Sequence, residues 1–314
     1  MEVYNYGVIG LGVMGRNLLY NIADNGFSVA GFDLDSEKVK DLHEGATPEM
    51  KVKGTNALED FVSNLESPRK VILMVPAGKP VAAVLENITP LLSEGDIVVD
   101  AGNSYFKDTN RRIADLAEKN IHFMGIGVSG GEQGARRGPS IMPGGNLEAF
   151  KTFQPMLESI AAKVDGEACT AYMGKGSAGN YVKMVHNGIE YAIMQLITEA
   201  YDLLRKGAGL NNDQLHEVFT QWNKGEMNSF LLEITRDIFA QKDNLTEGYL
   251  VDQILDKAGA KGTGKWTSEQ AMEIGVSIPT IDVAVTSRII SAYKEERVKA
   301  SQLYPKNEII HPEN

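Results

Sequence analysis

The sequence predicts a doubly wound α/β domain followed by an all-α domain. Three observations predict it. Short apolar runs alternate with helical patterns through the first half of the chain, a glycine-rich turn joins the first run to the first helical pattern, and strand signals nearly vanish after about residue 178. The first domain is expected over residues 1–178 and the second over residues 179–314.

Taken in order, Tyr6–Ile9 is short and apolar and reads as a strand. Residues 16–25 follow with Leu18, Leu19 and Ile22 at helical spacing, and Gly26 stops that helix. Val29–Phe32 is a second strand. Further buried strands are expected at 71–75, at Ile97–Asp100 and at 122–128, with helices over 37–44, 81–88 and 111–119 between them. This alternation implies a mostly parallel sheet with helices on both faces. The second domain should hold helices over 181–206, 212–222, 229–240, 250–257, 268–274 and 278–302, and the final stretch, 303–314, reads as irregular.

Composition bounds the function. Hydrophobic content of 43% and charged content of 23% describe a soluble globular protein with room for two domains in 314 residues. A net charge of −11 argues against nucleic acid or an anionic membrane as partner. A lone cysteine, Cys169, permits no internal disulfide, and no basic stretch followed by an apolar leader opens the chain, so a cytoplasmic location is expected. No apolar run is long enough to span a bilayer. Histidines, cysteines and carboxylates do not cluster at metal-ligand spacings, so no metal is expected, and no nucleophile elbow is present.

Five motifs carry chemistry. Gly10-Leu11-Gly12-Val13-Met14-Gly15 is a G-x-G-x-x-G turn between a strand and a helix, with the acidic Asp33 closing the next strand. This is the fingerprint of a Rossmann-type dinucleotide site: glycines let the backbone approach a pyrophosphate, which then faces a helix N-terminus. "DAGNSYFKDT" sets Asn103 at the carboxyl end of the sheet, where such folds bind ligands. Ser129, Gly130 and Gly131 form a turn whose amides and hydroxyl suit a carboxylate or hydroxyl group. "KMVHNGIEY" places Lys183, His186, Asn187, Glu190 and Tyr191 at i, i+3, i+4, i+7 and i+8, one face of a helix that is otherwise apolar and expected to be buried on most sides. "KGTGKW" offers Lys261 and Thr263 on glycine-hinged backbone that suits a phosphate, and Arg288 is a lone arginine in an apolar helix that needs an anionic partner.

Together "GLGVMGRNL", "DAGNSYFKDT", "GVSGGEQGARRGPSIMPGG", "KMVHNGIEY" and "KGTGKWT" resemble the 6-phosphogluconate dehydrogenase family, in the family's order and over nearly the whole chain. The resemblance implies oxidative decarboxylation of 6-phosphogluconate to ribulose 5-phosphate and CO2, a step of the pentose phosphate pathway, by a homodimer. It implies that Lys183 is the general base and Glu190 the general acid. Asn103, Ser129, Gly130, Gly131, His186 and Asn187 would hold the sugar acid, and Tyr191, Lys261, Thr263 and Arg288 its phosphate. The glycine turn, Val75, Pro76, Ala77 and Asn103 would line the cofactor site. The chemistry agrees: a lysine that starts neutral can take a hydroxyl proton and then polarise the new carbonyl, and burial moves lysine and glutamate pKa values the required way.

The chain departs from the family's pattern in three places. NADP-using members carry Asn-Arg-Ser/Thr where this chain has Asp33-Leu34-Asp35, and lysine where Pro76 stands. An acid in the place of Asp33 hydrogen-bonds a ribose 2′-hydroxyl and repels a 2′-phosphate, so NAD is expected to be preferred over NADP. The third departure is length. The family's long form continues into a second helical half and a tail that supplies an arginine and a histidine to the partner's substrate site. This chain is expected to lack both, and to turn over slowly for that reason. The alternatives are another β-hydroxyacid dehydrogenase without decarboxylation, or a non-catalytic dinucleotide-binding fragment.

Overall fold

The computed structural model describes residues 3–304. Its first half is built on one seven-stranded sheet in the order β3-β2-β1-β4-β5-β6-β7. The strands are β1 (Tyr6–Ile9), β2 (Val29–Phe32), β3 (Val52–Thr55), β4 (Lys70–Leu73), β5 (Ile97–Asp100), β6 (His122–Ser129) and β7 (Ser140–Gly144). All pair in parallel except β7, which runs antiparallel along β6 at the sheet's edge. The order reverses between β1 and β4, which opens the ligand crevice of a doubly wound sheet at their carboxyl ends.

The helices of this half are α1 (Val13–Asp24), α2 (Ser36–Gly45), α3 (Leu58–Ser63), α4 (Lys79–Ile88), α5 (Phe106–Ala117), α6 (Gly131–Arg137) and α7 (Leu147–Ile160). They cover both faces of the sheet, which explains why β1, β2 and β5 are buried at every residue. Two apolar clusters result. One gathers Leu18, Leu19, Ile22, Val8, Met124, Phe153 and Met156, and the other Phe61, Val71, Leu73, Val81, Ile88 and Val98. All five expected strands and the helices between them fall where the sequence places them, with ends displaced by up to five residues. A two-stranded ribbon, β8 (Lys163–Val164) with β9 (Glu167–Ala168), follows α7.

Besides the short α3 and α6 and the β8–β9 ribbon, three elements of this half carried no sequence expectation. β3 reads VKGT and is only half buried, because it is the edge strand opposite β7. β7 contains Pro143, which a strand tolerates only where no ladder donor is needed, and the edge meets that condition. α7 contains Pro155, a residue that argues against helix from sequence; its start is secured by Asn146, whose side chain accepts from the Ala149 amide at 3.0 Å.

The second half is helical: α8 (Ala178–Asp202), α9 (Asn212–Lys224), α10 (Phe230–Ala240), α11 (Thr263–Ile274), α12 (Pro279–Ser291) and α13 (Lys294–Leu303). A π-helical turn, Leu203–Gly207, closes α8. The compact units of the chain divide within α8, at Met184 and Val185. Inside the second unit α9 opens with a capping box between Asn211 and Gln214. Leu215, Phe219, Leu232 and Phe239 form a small core, where Phe219 packs on Trp222 at 5.0 Å and on Phe239 at 5.2 Å.

Two helical expectations are corrected. Residues 250–257 form only a 3-10 turn, Leu250–Gln253; Ile254 and Leu255 beyond it are exposed, so no buried apolar face sustains a helix. The single helix expected over 278–302 is two helices. The break follows Ser291, whose carbonyl accepts from Arg297 and whose hydroxyl accepts from the Ala258 amide at 3.0 Å. The irregular end expected over 303–314 lies outside the described residues beyond Tyr304, and Leu303 still belongs to α13.

Phe219→Ala is expected to destabilise the helical unit by about 3–5 kcal/mol, the usual range for emptying an aromatic site in a core. Denaturant unfolding followed by the fluorescence of neighbouring Trp222 measures it. A shift below about 1 kcal/mol would mean that Phe219 does not anchor this cluster.

Candidate functional site

The glycine turn follows β1 and opens α1, and its three glycines do different work. Gly10 has φ of 98°, and a Cβ there would lie 2.6 Å from the Met74 carbonyl oxygen. Gly15 lets α1 seat on the turn, since a Cβ would fall 1.8 Å from the Gly10 oxygen. Gly12, by contrast, faces open space and caps α1 with no side-chain hydrogen bond. Leu11 is buried within the turn, whereas Val13 is half exposed. Val13 and Met14 therefore stand in the first turn of a helix whose amides no side chain caps, a cradle that fits a pyrophosphate.

Neighbouring loops rise from the same edge of the sheet. Val75, Pro76 and Ala77 follow β4, and Asn103 follows β5 and is exposed. Asp100, fully buried, organises the latter turn. Its carboxylate accepts from the Gly102 amide at 3.0 Å and the Ser104 hydroxyl at 2.6 Å, with the Arg112 guanidinium 3.3 Å away. Burial pushes the Asp100 carboxyl up from its ordinary value, while Ser104, Gly102 and Arg112 pull it down. Ser129 ends β6, and Gly130 and Gly131, both exposed, lead into α6.

Lys183 lies in the second turn of α8 and is only 6% exposed. Its placement depends on an unusually close helix–strand contact. Gly179 lies so near β6 and β7 that a Cβ would fall 2.2 Å from the Gly125 oxygen and 2.3 Å from the Met142 oxygen. A Cβ on Gly125 would meet the Asn180 side chain at 1.8 Å, and one on Gly127 would meet Lys183 Cβ at 2.4 Å. Buried Asn180 then fixes the helix by accepting from the Thr109 hydroxyl at 2.9 Å. Sequence reasoning missed this part. The available signal was the pair Gly125 and Gly127 two residues apart in an apolar strand, where glycine marks close approach of another backbone.

Within the second unit, α8 carries His186, Asn187, Glu190 and Tyr191. His186 Nδ1 lies 3.3 Å from Asn187 Oδ1 and 3.6 Å from Glu190 Oε2, as one helical face requires. Asn187 donates to the Thr263 hydroxyl at 3.3 Å, and Thr263 begins α11. The Arg288 guanidinium stands 3.6 Å from the centre of the Tyr191 ring and donates to the Gly259 carbonyl at 2.6 Å. The structure thus gathers Asn187, Tyr191, Thr263 and Arg288. Lys261 is exposed, two residues before Thr263. The expectation that α8 is buried on its other faces is corrected: Ile189, Ile193 and Leu196, at i, i+4 and i+7, are 48%, 37% and 54% exposed. Glu190 keeps 37% of its side chain exposed.

The acids after β2 are committed to the backbone. Asp33 accepts from the Leu11 amide at 2.8 Å and the Asp35 amide at 3.0 Å, with Lys38 Nζ 3.5 Å from its carboxylate. Asp35 caps α2 by accepting from the Glu37 amide at 3.0 Å, and Leu34 between them is 85% exposed. Among the described residues no three His, Cys, Asp or Glu side chains converge as metal ligands, and no helix is long and apolar enough to cross a membrane.

Gly127→Ala is expected to push Lys183 out of position. A displacement near 1 Å typically costs on the order of 10²-fold in turnover, with dinucleotide affinity little changed. Steady-state kinetics with a parallel binding titration checks this; wild-type turnover would show that Lys183 does not depend on the glycine.

Comparison with known proteins bears on these residues. Residues 5–174 match the model of the NAD binding domain of 6-phosphogluconate dehydrogenase, and residues 179–314 match that of its C-terminal domain. A relative from Bacillus subtilis, named 6-phosphogluconate dehydrogenase, NADP(+)-dependent, decarboxylating, is 56% identical over 303 residues, covering 96% of this chain and 64% of its own length. The chain thus spans about two thirds of the length of that relative. The Plasmodium falciparum 6-phosphogluconate dehydrogenase, described in its apo form and in complex with its cofactor NADP+ and with its substrate 6-phosphogluconate, superposes with a TM-score of 0.94 at 46% identity, over 99% of this chain and 67% of that one. A 3-hydroxyisobutyrate dehydrogenase from Salmonella typhimurium shares the fold at 20% identity and a TM-score of 0.72, covering 94% of this chain and 95% of its own. The expected preference for NAD is overturned by the NADP+ named for the first two. The physical reason lies at Asp33 and Asp35: their carboxylates accept from backbone amides, and Lys38 Nζ stands 3.5 Å from the Asp33 carboxylate, where it offsets the charge that would oppose a 2′-phosphate. With both halves matched in order and more than half its residues identical to that relative, the chain belongs to the 6-phosphogluconate dehydrogenase family.

Proposed function

We propose that the chain carries out the oxidative decarboxylation of 6-phosphogluconate to ribulose 5-phosphate and CO2 with NADP+, residues 1–178 serving the dinucleotide and residues 179–314 the sugar acid. The observation that carries this reading is the face of α8, where a buried lysine is followed at i+3, i+4, i+7 and i+8 by His186, Asn187, Glu190 and Tyr191. The bound nicotinamide supplies the hydride acceptor. Lys183 takes the proton of the substrate hydroxyl as that carbon becomes a ketone. The resulting ammonium then donates a hydrogen bond to the new carbonyl and stabilises the enolate charge as CO2 leaves. Glu190 delivers the last proton to the enediol carbon. Seven residues of sequence separate the two groups along α8.

Asn103, Ser129, Gly130, Gly131, His186 and Asn187 are assigned to the sugar acid, and Gly10 to Gly15, Val75, Pro76, Ala77 and Asn103 to the cofactor. Tyr191, Lys261, Thr263 and Arg288 are assigned to the phosphate. The order around Thr263 supports this: it opens α11 behind Gly262, an N-terminus with no side-chain cap. A homodimer is part of the same proposal, supported by the exposed apolar row of Ile189, Ile193 and Leu196. So is a cytoplasmic setting, on the ground of the metabolite it would use.

Release of CO2 together with NADPH from 6-phosphogluconate is the direct test, and reduction of the cofactor without CO2 would replace this reading with simple dehydrogenation. Lys183→Met is expected to lower turnover by ~10²–10⁴-fold with cofactor affinity nearly intact. More than about a tenth of the wild-type rate would remove the lysine from its role. Lys261→Ala and Arg288→Ala should chiefly raise KM for the phosphorylated acid, by roughly 1.5–3 kcal/mol each, with a smaller penalty for unphosphorylated gluconate. Equal penalties for both acids would take these residues out of the phosphate site.

A further inference from the structure

Arg112 is an arginine with an unusual address. It lies on α5, outside every site assigned above, and is only 5% exposed. Its guanidinium divides between two segments. Nη1 lies 3.3 Å from Asp100 Oδ2 and 3.5 Å from the Ser104 hydroxyl, while Nη2 donates to the Gly78 carbonyl at 3.0 Å. Asp100 and Ser104 bracket Asn103. Gly78 closes the loop of Val75, Pro76 and Ala77. The two segments also pack backbone on backbone, since a Cβ at Gly102 would lie 3.0 Å from the Val75 oxygen.

We infer that Arg112 is a positioning residue that locks the Asn103 turn to the Val75–Gly78 loop, so that both reach the dinucleotide in fixed register. The inference rests on the cofactor assignment proposed above. A planar fork suits the task, because it presents donors in two directions from one rigid group and stays charged when buried. Sheet stability alone does not explain the pair, because a buried ion pair is a weak stabiliser compared with apolar packing.

The same two strands provide a control. Arg69 and Asp96 form a second pair at 3.0 Å, with Asp96 fully buried, but they precede β4 and β5 and so lie at the amino ends of the strands, away from the ligand loops. A structural role would make the two pairs equivalent, whereas a positioning role would not.

The test titrates the full chain with NADPH, followed by its fluorescence, in wild type, Arg112→Lys and Arg69→Lys, with thermal midpoints measured alongside. Lysine can reach only one of the two segments, so Arg112→Lys is expected to weaken NADPH about tenfold. Arg69→Lys should lower the thermal midpoint and leave the Kd within about twofold of wild type. A wild-type Kd in Arg112→Lys, or equal weakening in both lysine variants, would overturn the inference. Should Arg112→Lys not fold, Ser104→Ala removes the hydroxyl that donates to Asp100 and faces Arg112, and is expected to weaken NADPH about threefold; a wild-type Kd there would overturn it equally. Failure of the wild-type chain to bind NADPH would overturn the cofactor reading, and this inference with it.

Discussion

The contact on which the site depends is the seating of α8 against β6 and β7. Helix and sheet ordinarily stand apart by the depth of two side chains. Here Gly125, Gly127, Gly144 and Gly179 remove those side chains at the crossing, and backbone meets backbone. The approach places the amine-bearing side chain of Lys183 beside a strand end with little solvent around it. Asn180 shows how strict the fit is. Its amide fills the space that a Gly125 side chain would take and accepts from Thr109, so the first turn of α8 is held by a polar bond as well as by packing. An alanine at any of these glycines would push on groups that have no slack, because interiors are close-packed and transmit strain.

From that seat the chemistry of the first unit is arranged along one edge of the sheet. The glycine turn, the loop after β4, the Asn103 turn and the Ser129 turn all leave carboxyl ends of strands, as the reversal of strand order between β1 and β4 dictates. Loops of this kind are individually soft, and what stiffens them is polar and wholly or partly buried. Asp33 holds the glycine turn through the Leu11 amide, and Asp100 holds the Asn103 turn through Gly102 and Ser104. Each carboxylate satisfies backbone donors that would otherwise be costly to leave unpaired.

How much of this was legible from sequence follows from where the determinants sit. The G-x-G-x-x-G turn and the polar stripe of α8 are local patterns, and both lie on the elements expected of them. β7 and α7 were invisible because Pro143 and Pro155 contradict their local environment, and only an edge position and a long, well-capped helix make them tolerable. Residues 250–257 misled in the opposite direction: their apolar spacing is helical, but Ile254 and Leu255 are not buried against a partner surface. Arg112 and Asn180 were not singled out because their meaning is entirely tertiary. Each is an ordinary helix residue until the fold brings Asp100, Gly78 or Thr109 against it.

The cofactor shows a different limit. Reading Asp33-Leu34-Asp35 as formal charges treats each acid as if its field reached a ligand unmodified. In the folded chain the Asp33 carboxylate is turned inward, accepts from two amides and has a lysine ammonium 3.5 Å away, while Asp35 spends its charge at the N-terminus of α2. Amide dipoles and a neighbouring cation reduce the potential that a group beyond them would feel, and exposure to solvent reduces it further. A net repulsion inferred from two bare charges therefore overstates the barrier to a 2′-phosphate. What discriminates between dinucleotides at such a strand end is the residual field after local pairing, and local pairing is a property of the fold rather than of the triplet.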